Sequence, residues 1–361
     1  MGRNALIVNS LDRGGAERQA LCLFEGLREQ GVQTVLISTR GETGFLADSA
    51  AEGVYVLGKR SRWQLPLLVG RLRRVLRKDD VLVCYNWYQH LLAALAMPGN
   101  RRIVVYGNVP SRDGVIGVKR FLGRVLHSTA DAVIGCSRGV TRQAVREMGS
   151  PRLVCAAVPN AVYRSRACEK YRVSPWRRPY VISAGRLAPE KDFELLIGAF
   201  ASIADDVEQD LIIAGAGPLK EQLNSMVEEL RLTGRVHLVG FRRDLKRWLR
   251  HADLFALSSR WEGFGNVIVE AMSVGTPVVV TDAPFGPREI LERIPAGRLV
   301  RVGGRRELAS AIREMLDDGD ERHRLGRLAL DAVPAQFSVE RVAAAYLEIL
   351  RCVSAETETA S

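Results

Sequence analysis

A chain of 361 residues that is 47% apolar and 26% charged exceeds what one hydrophobic core holds and has the composition of a two-domain globular protein. No apolar run reaches the about 18 residues of a membrane-spanning helix, Met1–Leu6 runs into a strand pattern with no secretion signal, and six cysteines (22, 84, 136, 155, 168, 352) show neither zinc-site nor disulfide-framework spacing. A cytosolic protein with reduced, mostly buried thiols is expected. Of the net charge of +11, residues 1–175 carry all the excess, 27 Lys and Arg against 13 Asp and Glu, whereas residues 176–361 hold 25 against 28. The first half therefore expects a phosphate-bearing partner, lipid or nucleic acid.

Short apolar runs alternate with amphipathic helical stretches along the chain, the pattern of parallel sheets covered by helices on both faces. A first sheet is predicted from Ala5–Asn9, Thr34–Ser38, Val54–Leu57, Val81–Tyr85, Ile103–Tyr106, Ala132–Gly135 and Leu153–Ala156. A second is predicted from Tyr180–Ala184, Asp210–Ala214, Val236–Val239, Leu254–Leu257, Pro277–Thr281 and Arg298–Val300. The polar stretch Arg164–Pro179 has little periodicity and reads as the link. The expected division is a domain over 1–165, a linker over 166–179, a domain over 180–337, a last helix over 338–353 that suits either domain, and a disordered tail over 354–361.

Ligands of open parallel sheets bind at the carboxyl ends of strands, where helix N-termini present unpaired N–H groups. The glycines gather there: Gly14 and Gly15 after the first strand, Gly185, Gly215 and Gly217, and Gly263 and Gly265 after strands of the second sheet. Each lets backbone approach a ligand. A dinucleotide-dependent dehydrogenase is disfavoured, because Gly215-Ala216-Gly217-Pro218 lacks the third glycine and no acid follows at the required distance. The most informative run is Ser259-Arg260-Trp261-Glu262-Gly263-Phe264-Gly265-Asn266-Val267-Ile268-Val269-Glu270-Ala271-Met272. It places Glu262 in a loop and Glu270 about one turn inside the following helix.

This run resembles the signature of family 4 retaining glycosyltransferases, Glu-x7-Glu within Ser-x-x-Glu-Gly-Phe-Gly, followed by Glu-Ala-Met and Gly-x-Pro-Val-Val. Gly185-Arg186-Leu187 with Glu190-Lys191, Gly215-x-Gly217-Pro218, Val239-Gly240-Phe241, Thr281-Asp282, Gly286-Pro287-Arg288-Glu289-Ile290 and Pro159-Asn160 agree in order and spacing. The resemblance spans nearly the whole chain, most closely 180–292. It implies the α/β GT-B fold, two Rossmann-like doubly wound domains facing a central cleft, with an acceptor-binding N-terminal and a nucleotide-sugar-binding C-terminal domain. It implies a retaining hexosyl transfer of the bacterial surface-polysaccharide type, from a nucleotide diphosphate sugar, UDP-linked ahead of GDP-linked, to a lipid-linked or other glycan acceptor. No cofactor and no metal are then needed.

By the same resemblance Arg186 and Lys191 supply positive charge to the departing diphosphate, Glu262 contacts the transferred sugar and Glu270 holds the ribose hydroxyls. Backbone from Val239 to Phe241 reads the base. Gly14, Gly15, Gly185, Gly217, Gly263, Phe264, Gly265, Asn266 and Val267 complete the donor site. The chain departs from the family at the first domain's fifth strand, where many members carry a histidine and this one has Tyr106-Gly107-Asn108. Asn86, His90 and Asn108 are the candidates for sugar or acceptor contact there.

Helical spacing over Leu65–Lys78 puts Leu65, Leu68, Val69, Leu72 and Leu76 on one face and Arg71, Arg73, Arg74, Arg77 and Lys78 on the other. Val118–Leu126 sets Val118, Phe121, Leu122 and Val125 apart from Lys119, Arg120 and Arg124 in the same way. Both patterns fit ordinary sheet-covering helices. They also fit an anionic membrane surface met by Arg71, Arg74, Lys78, Lys119, Arg120 and Arg124, which predicts a peripheral enzyme on the cytoplasmic face of the inner membrane. A nucleotide-sugar epimerase on the same fold is an alternative, since fold does not fix chemistry. A nucleic-acid-binding protein is a weaker one: aromatics are 6% and no RNA motif occurs, so no nucleic-acid partner is expected.

Overall fold

The computed structural model describes residues 3–11, 15–40, 52–61, 64–112, 117–162 and 173–355, apart from the side chains of Val118 and Lys119. Gly14 and residues 166–172 of the expected linker thus lie outside the described residues. The chain divides into two compact units, residues 1–163 with 339–361, and residues 164–338.

The first unit holds β1 (Asn4–Val8), α1 (Gly15–Glu29), β2 (Thr34–Arg40), β3 (Val54–Lys59), α2 (Leu65–Val75), β4 (Val81–Tyr85) and α3 (Trp87–Ala96). It continues with β5 (Arg102–Tyr106), α4 (Val118–His127), β6 (Ala132–Gly135), α5 (Arg138–Met148) and β7 (Val154–Ala157). Its sheet has the order β3-β2-β1-β4-β5-β6-β7, and every pairing is parallel. β1 is apolar from Ala5 to Val8 because both of its faces are covered. Leu6 and Val8 join Phe24 and Leu27 of α1, while Ala5 and Ile7 turn to Leu68 and Leu72 of α2 and Leu92 and Ala93 of α3.

The second unit holds β8 (Tyr180–Ala184), α6 (Phe193–Ala201), β9 (Asp210–Ala214), α7 (Lys220–Glu229), β10 (Val236–Gly240), α8 (Leu245–Arg250) and β11 (Leu254–Leu257). It continues with α9 (Asn266–Met272), β12 (Val278–Thr281), α10 (Pro287–Arg293), β13 (Gly297–Val300), α11 (Arg305–Asp317) and α12 (Gly319–Phe337). Its all-parallel sheet has the order β10-β9-β8-β11-β12-β13. Strand order reverses between β1 and β4 in one sheet and between β8 and β11 in the other, the places where loops diverge and leave a crevice.

The last helix, α13 (Val339–Ala355), belongs to the first unit. Val339, Val342, Ala343, Tyr346, Leu350 and Val353 of α13 are buried in the cluster that holds Phe24 and Leu27. Ser354 and Ala355, expected in the tail, continue this helix, and the Ser354 hydroxyl donates to the Leu350 carbonyl at 2.8 Å. The end of the expected linker also needs correction. Trp176 donates its indole N–H to Asp210 at 2.9 Å and lies 4.6 Å from the His237 ring, so it is packed onto the second unit.

Candidate active site

In the second unit, β8 and β11 lie side by side at the strand-order reversal, and the loops leaving their carboxyl ends carry the informative residues. The loop after β8 makes a short 3-10 turn, Pro189–Lys191, and Asp192 adopts a left-handed conformation (φ 47°) as α6 begins. That turn points Lys191 toward the loop after β11. There Lys191 Nζ lies 2.5 Å from Glu262 Oε1, and the Ser259 hydroxyl donates to the same oxygen at 2.6 Å. The Lys191 and Glu262 side chains are 16% and 10% exposed, a depth at which each charge requires the other. Glu262 Oε2 accepts no hydrogen bond among the described residues, so the carboxylate is held by one oxygen and open at the second.

The surrounding bonds make this pair rigid. Ser258 donates to the Lys191 carbonyl at 2.8 Å and Thr281 to the Ser259 carbonyl at 2.7 Å. Arg260 Nε bonds Asp192 at 2.7 Å, and its backbone N–H donates to the Glu190 carbonyl at 2.8 Å. Arg186 reaches back to Glu190 Oε1 at 2.5 Å while its side chain is 70% exposed. Burial works against the Glu190 charge, but the Arg186 hydrogen bond and the Arg186 and Lys191 charges outweigh it and hold the carboxyl below its ordinary range. An exposed guanidinium on a single partner is free to exchange it for another anion.

Gly265 (φ 92°) turns the chain into α9, which carries Asn266, Val267 and Glu270, all half-buried; Gly263 is half-buried and Phe264 buried. Gly215 and Gly217 are required by packing within the unit itself. A Cβ at Gly215 would collide with the Gly185 carbonyl and one at Gly217 with the Leu187 backbone, so these glycines let two loops pack on each other. Leu187 N–H donates to the Ala216 carbonyl at 3.0 Å across that contact. In β10 the register against β9 slips between Leu238 and Gly240, leaving Val239 without a counterpart in the ladder, and Phe241 beyond it is 53% exposed.

In the first unit, Asn86 follows β4 with φ 89°, an unusual conformation for a residue with a side chain, and its Oδ1 accepts from Trp87 N–H at 2.7 Å. Asn108 follows β5 and accepts from Val109 N–H at 2.9 Å through Oδ1, which leaves its NH2 group to donate. Gly107 beside it comes close to Ala16 in the first turn of α1, next to Gly15. His90 is placed elsewhere. It is 1% exposed in α3, Nε2 has no hydrogen-bond partner among the described residues, and burial, with the fields of Arg102 and His127, lowers its pKa to about 3. It is a neutral interior ring and not a group presented to a ligand.

The two basic helices differ in what they cover. Leu68 and Leu72 of α2 are buried, as in a sheet-covering helix, and α2 ends at Val75, so Lys78 lies beyond it. Arg71 donates through Nη1 to the Leu57 carbonyl at 2.5 Å and Arg73 through Nε to the Ala96 carbonyl at 2.8 Å; Arg71, Arg73 and Arg74 are exposed. Helix α4 is reversed. Its Gly123 packs on Met148 so tightly that a Cβ would collide, while Phe121, Leu122 and Val125 are 68%, 57% and 58% exposed. Arg120 and Arg124 point to the carboxyl end of α5, donating to the Glu147 carbonyl at 3.3 and 2.9 Å. The outward face of α4 thus presents an apolar stripe beside the exposed Arg120 and Arg124, and the Lys119 side chain lies outside the described residues. Among the described residues no helix is long and apolar enough to cross a membrane, and no three His, Cys, Asp or Glu gather as a metal site would require.

Comparison with known proteins agrees with this arrangement. A family model described as glycosyltransferase family 4 matches residues 13–166, and one described as glycosyl transferases group 1 matches residues 170–330. The lipopolysaccharide core biosynthesis glycosyltransferase LpsE of Rhizobium meliloti is 29% identical over 350 residues, 93% of this chain and 96% of that protein. The N-acetylgalactosamine-N,N'-diacetylbacillosaminyl-diphospho-undecaprenol 4-alpha-N-acetylgalactosaminyltransferase of Campylobacter jejuni is 28% identical over 268 residues, 71% of this chain and 72% of that one. The crystal structure of Anabaena HepE in complex with UDP superposes with a TM-score of 0.80 at 23% identity, covering 96% of this chain and 99% of that one. With two parallel-sheet Rossmann-like units and both family models in succession, the chain belongs to the family 4 glycosyltransferases and has their GT-B fold.

Proposed function

We propose that this glycosyltransferase moves a hexosyl group from a UDP-sugar to a lipid-linked glycan during assembly of a bacterial surface polysaccharide, with retained anomeric configuration and no divalent metal. The observation that carries the donor half of this reading is the Lys191–Glu262 pair at the β8/β11 reversal, beside the exposed Arg186. Lysine and arginine would offset the charge that builds on a leaving diphosphate, the task a metal ion performs elsewhere. Glu262 Oε2 would accept from a sugar hydroxyl, Glu270 from the ribose, and the bulged backbone at Val239 would meet the base. Preference for UDP is supported by the UDP-bound HepE structures, and the acceptor class by the lipopolysaccharide-core and diphospho-undecaprenol relatives.

No carboxylate stands in the site as an obvious nucleophile, which favours a front-face displacement. The acceptor oxygen bonds to the anomeric carbon as the bond from that carbon to the diphosphate oxygen breaks, and the acceptor proton passes to the departing phosphate. Asn108, with its free NH2 group, and Asn86 would steady the reacting sugar or acceptor. The exposed stripe of Phe121, Leu122 and Val125, rimmed by the exposed Arg120 and Arg124, supports a peripheral position on the anionic cytoplasmic face of the inner membrane.

Thermal shift against nucleoside diphosphates and their sugars, with EDTA present, tests the donor site. Stabilisation by UDP and UDP-sugars that weakens in Glu270→Ala is the expected result. Stabilisation by GDP compounds alone would overturn the donor assignment, and a requirement for added metal would overturn the metal-free one.

A further inference from the structure

A cationic site that involves neither Asn86 nor Asn108 lies in the first unit. At the carboxyl end of β3, Gly58, Lys59, Arg60, Gln64 and Arg71 line a surface hollow of about 450 Å³. Among the described residues its lining contains three cations and no acid. Among the described residues none of the three cations is paired with a carboxylate, and Arg40 stands opposite Lys59 in the register of β2 with β3, adding a fourth positive charge to this sheet corner.

The side chains are held as donors. Lys59 Nζ sits 3.8 Å above the Tyr88 ring, a cation–π contact that fixes the ammonium without neutralising it. Gln64 accepts through Oε1 from the Arg60 and Ser61 N–H groups at 2.9 and 3.3 Å, which turns its NH2 group outward as a donor. Arg71 uses Nη1 on the Leu57 carbonyl and keeps the rest of its fork. Like charges gathered without a counter-ion repel one another and raise the local anion concentration, and donors of this number and kind match the several oxygens of a phosphate.

We propose that Lys59, Arg60, Gln64 and Arg71 form a binding site for a phosphate or diphosphate group. Its assignment to the phosphate of a lipid-linked acceptor rests on the transferase reading above; the anion site itself does not. The same chemistry is offered by a soluble diphosphate and by a phospholipid head group, and the two are separable by experiment.

Reductive 13C-methylation of the lysines preserves their charge and gives an NMR signal for each. Lys59, assigned by its loss in Lys59→Arg, is marked by the Tyr88 ring current, and Lys191 by its loss in Lys191→Arg. Titration with inorganic pyrophosphate is expected to move the Lys59 signal saturably. Arg60→Ala, which removes an exposed side chain and no hydrogen bond, should weaken that response roughly tenfold and leave the Lys191 response unchanged. Movement with glycerophosphoglycerol but not with pyrophosphate would assign the site to a lipid head group. A Lys59 signal that ignores both, while Lys191 responds, overturns the site and leaves the donor reading standing; the reverse result overturns the donor reading alone.

Discussion

Lys191 Nζ and Glu262 Oε1 meet at 2.5 Å although 71 residues separate them in the chain. The contact ties the loop after β8 to the loop after β11 at the reversal of strand order. Lys191→Met and Glu262→Gln are each expected to lower kcat/KM by roughly 10²–10³, the usual loss when one electrostatic contributor to a transition state is removed. The double variant should lose much less than the product of the two, because each residue fixes the other. Lys191→Met should also destabilise the fold by about 3 kcal/mol, because it strands a buried carboxylate, whereas Glu262→Gln should cost less. Steady-state kinetics and denaturant unfolding on the same three proteins measure both effects.

The opposite orientations of α2 and α4 make a paired prediction. Replacing Phe121, Leu122 and Val125 together by serine should change stability by less than about 1 kcal/mol, since these side chains already face solvent, and should abolish flotation with anionic vesicles. Leu68→Ala, in a fully buried position, should instead cost about 2–5 kcal/mol and leave flotation unchanged while the protein remains folded. Flotation of the triple variant at the wild-type level would show that the stripe is not the membrane contact.

His90 gives the fold a pH dependence of known sign. Its pKa near 3 when folded lies below the ordinary value of 6.5, so the unfolded chain binds more protons between those limits. Stability from this group is complete above pH 6.5 and is lost as pH falls toward 3. Between pH 7 and 5 the loss is about 2 kcal/mol. In His90→Gln the unfolding free energy should lose that part of its slope, as urea titrations at the two pH values would register.

Removal of residues 339–355 should prevent the first unit from folding. The six buried side chains of α13 are worth on the order of 10 kcal/mol of apolar burial, comparable with the whole stability of a domain. Near-complete loss of soluble protein, or of the near-ultraviolet circular dichroism of the first unit, is the expected outcome.

Much of the fold was legible because β1, β4, β8 and β9 are buried on both faces and are therefore mostly apolar. The loop after β11 was legible for another reason: Glu262, Gly265 and Glu270 keep a local spacing tied to one strand-to-helix turn. What escaped depended on contacts distant in sequence. A helical period states which residues of α4 share a face but not whether that face is covered, so Phe121 and Leu68 looked alike. Gly215 and Gly217 signalled close approach without naming the partner, which is another loop. The linker composition around Trp176 hid a residue anchored by Asp210, 34 positions on. The departure from the family at Tyr106-Gly107-Asn108 drew attention to His90, yet burial had already removed that ring from any surface.

The most direct test of the central claim needs no acceptor. Slow transfer of the sugar from a UDP-α-sugar to water, in EDTA, releases a free sugar whose first-formed anomer is visible by proton NMR before mutarotation. Retaining, metal-free transfer predicts release of UDP with the α-anomer formed first, and loss of both in Glu262→Gln. Initial appearance of the β-anomer, or release of UDP only after a divalent metal is added, would contradict it.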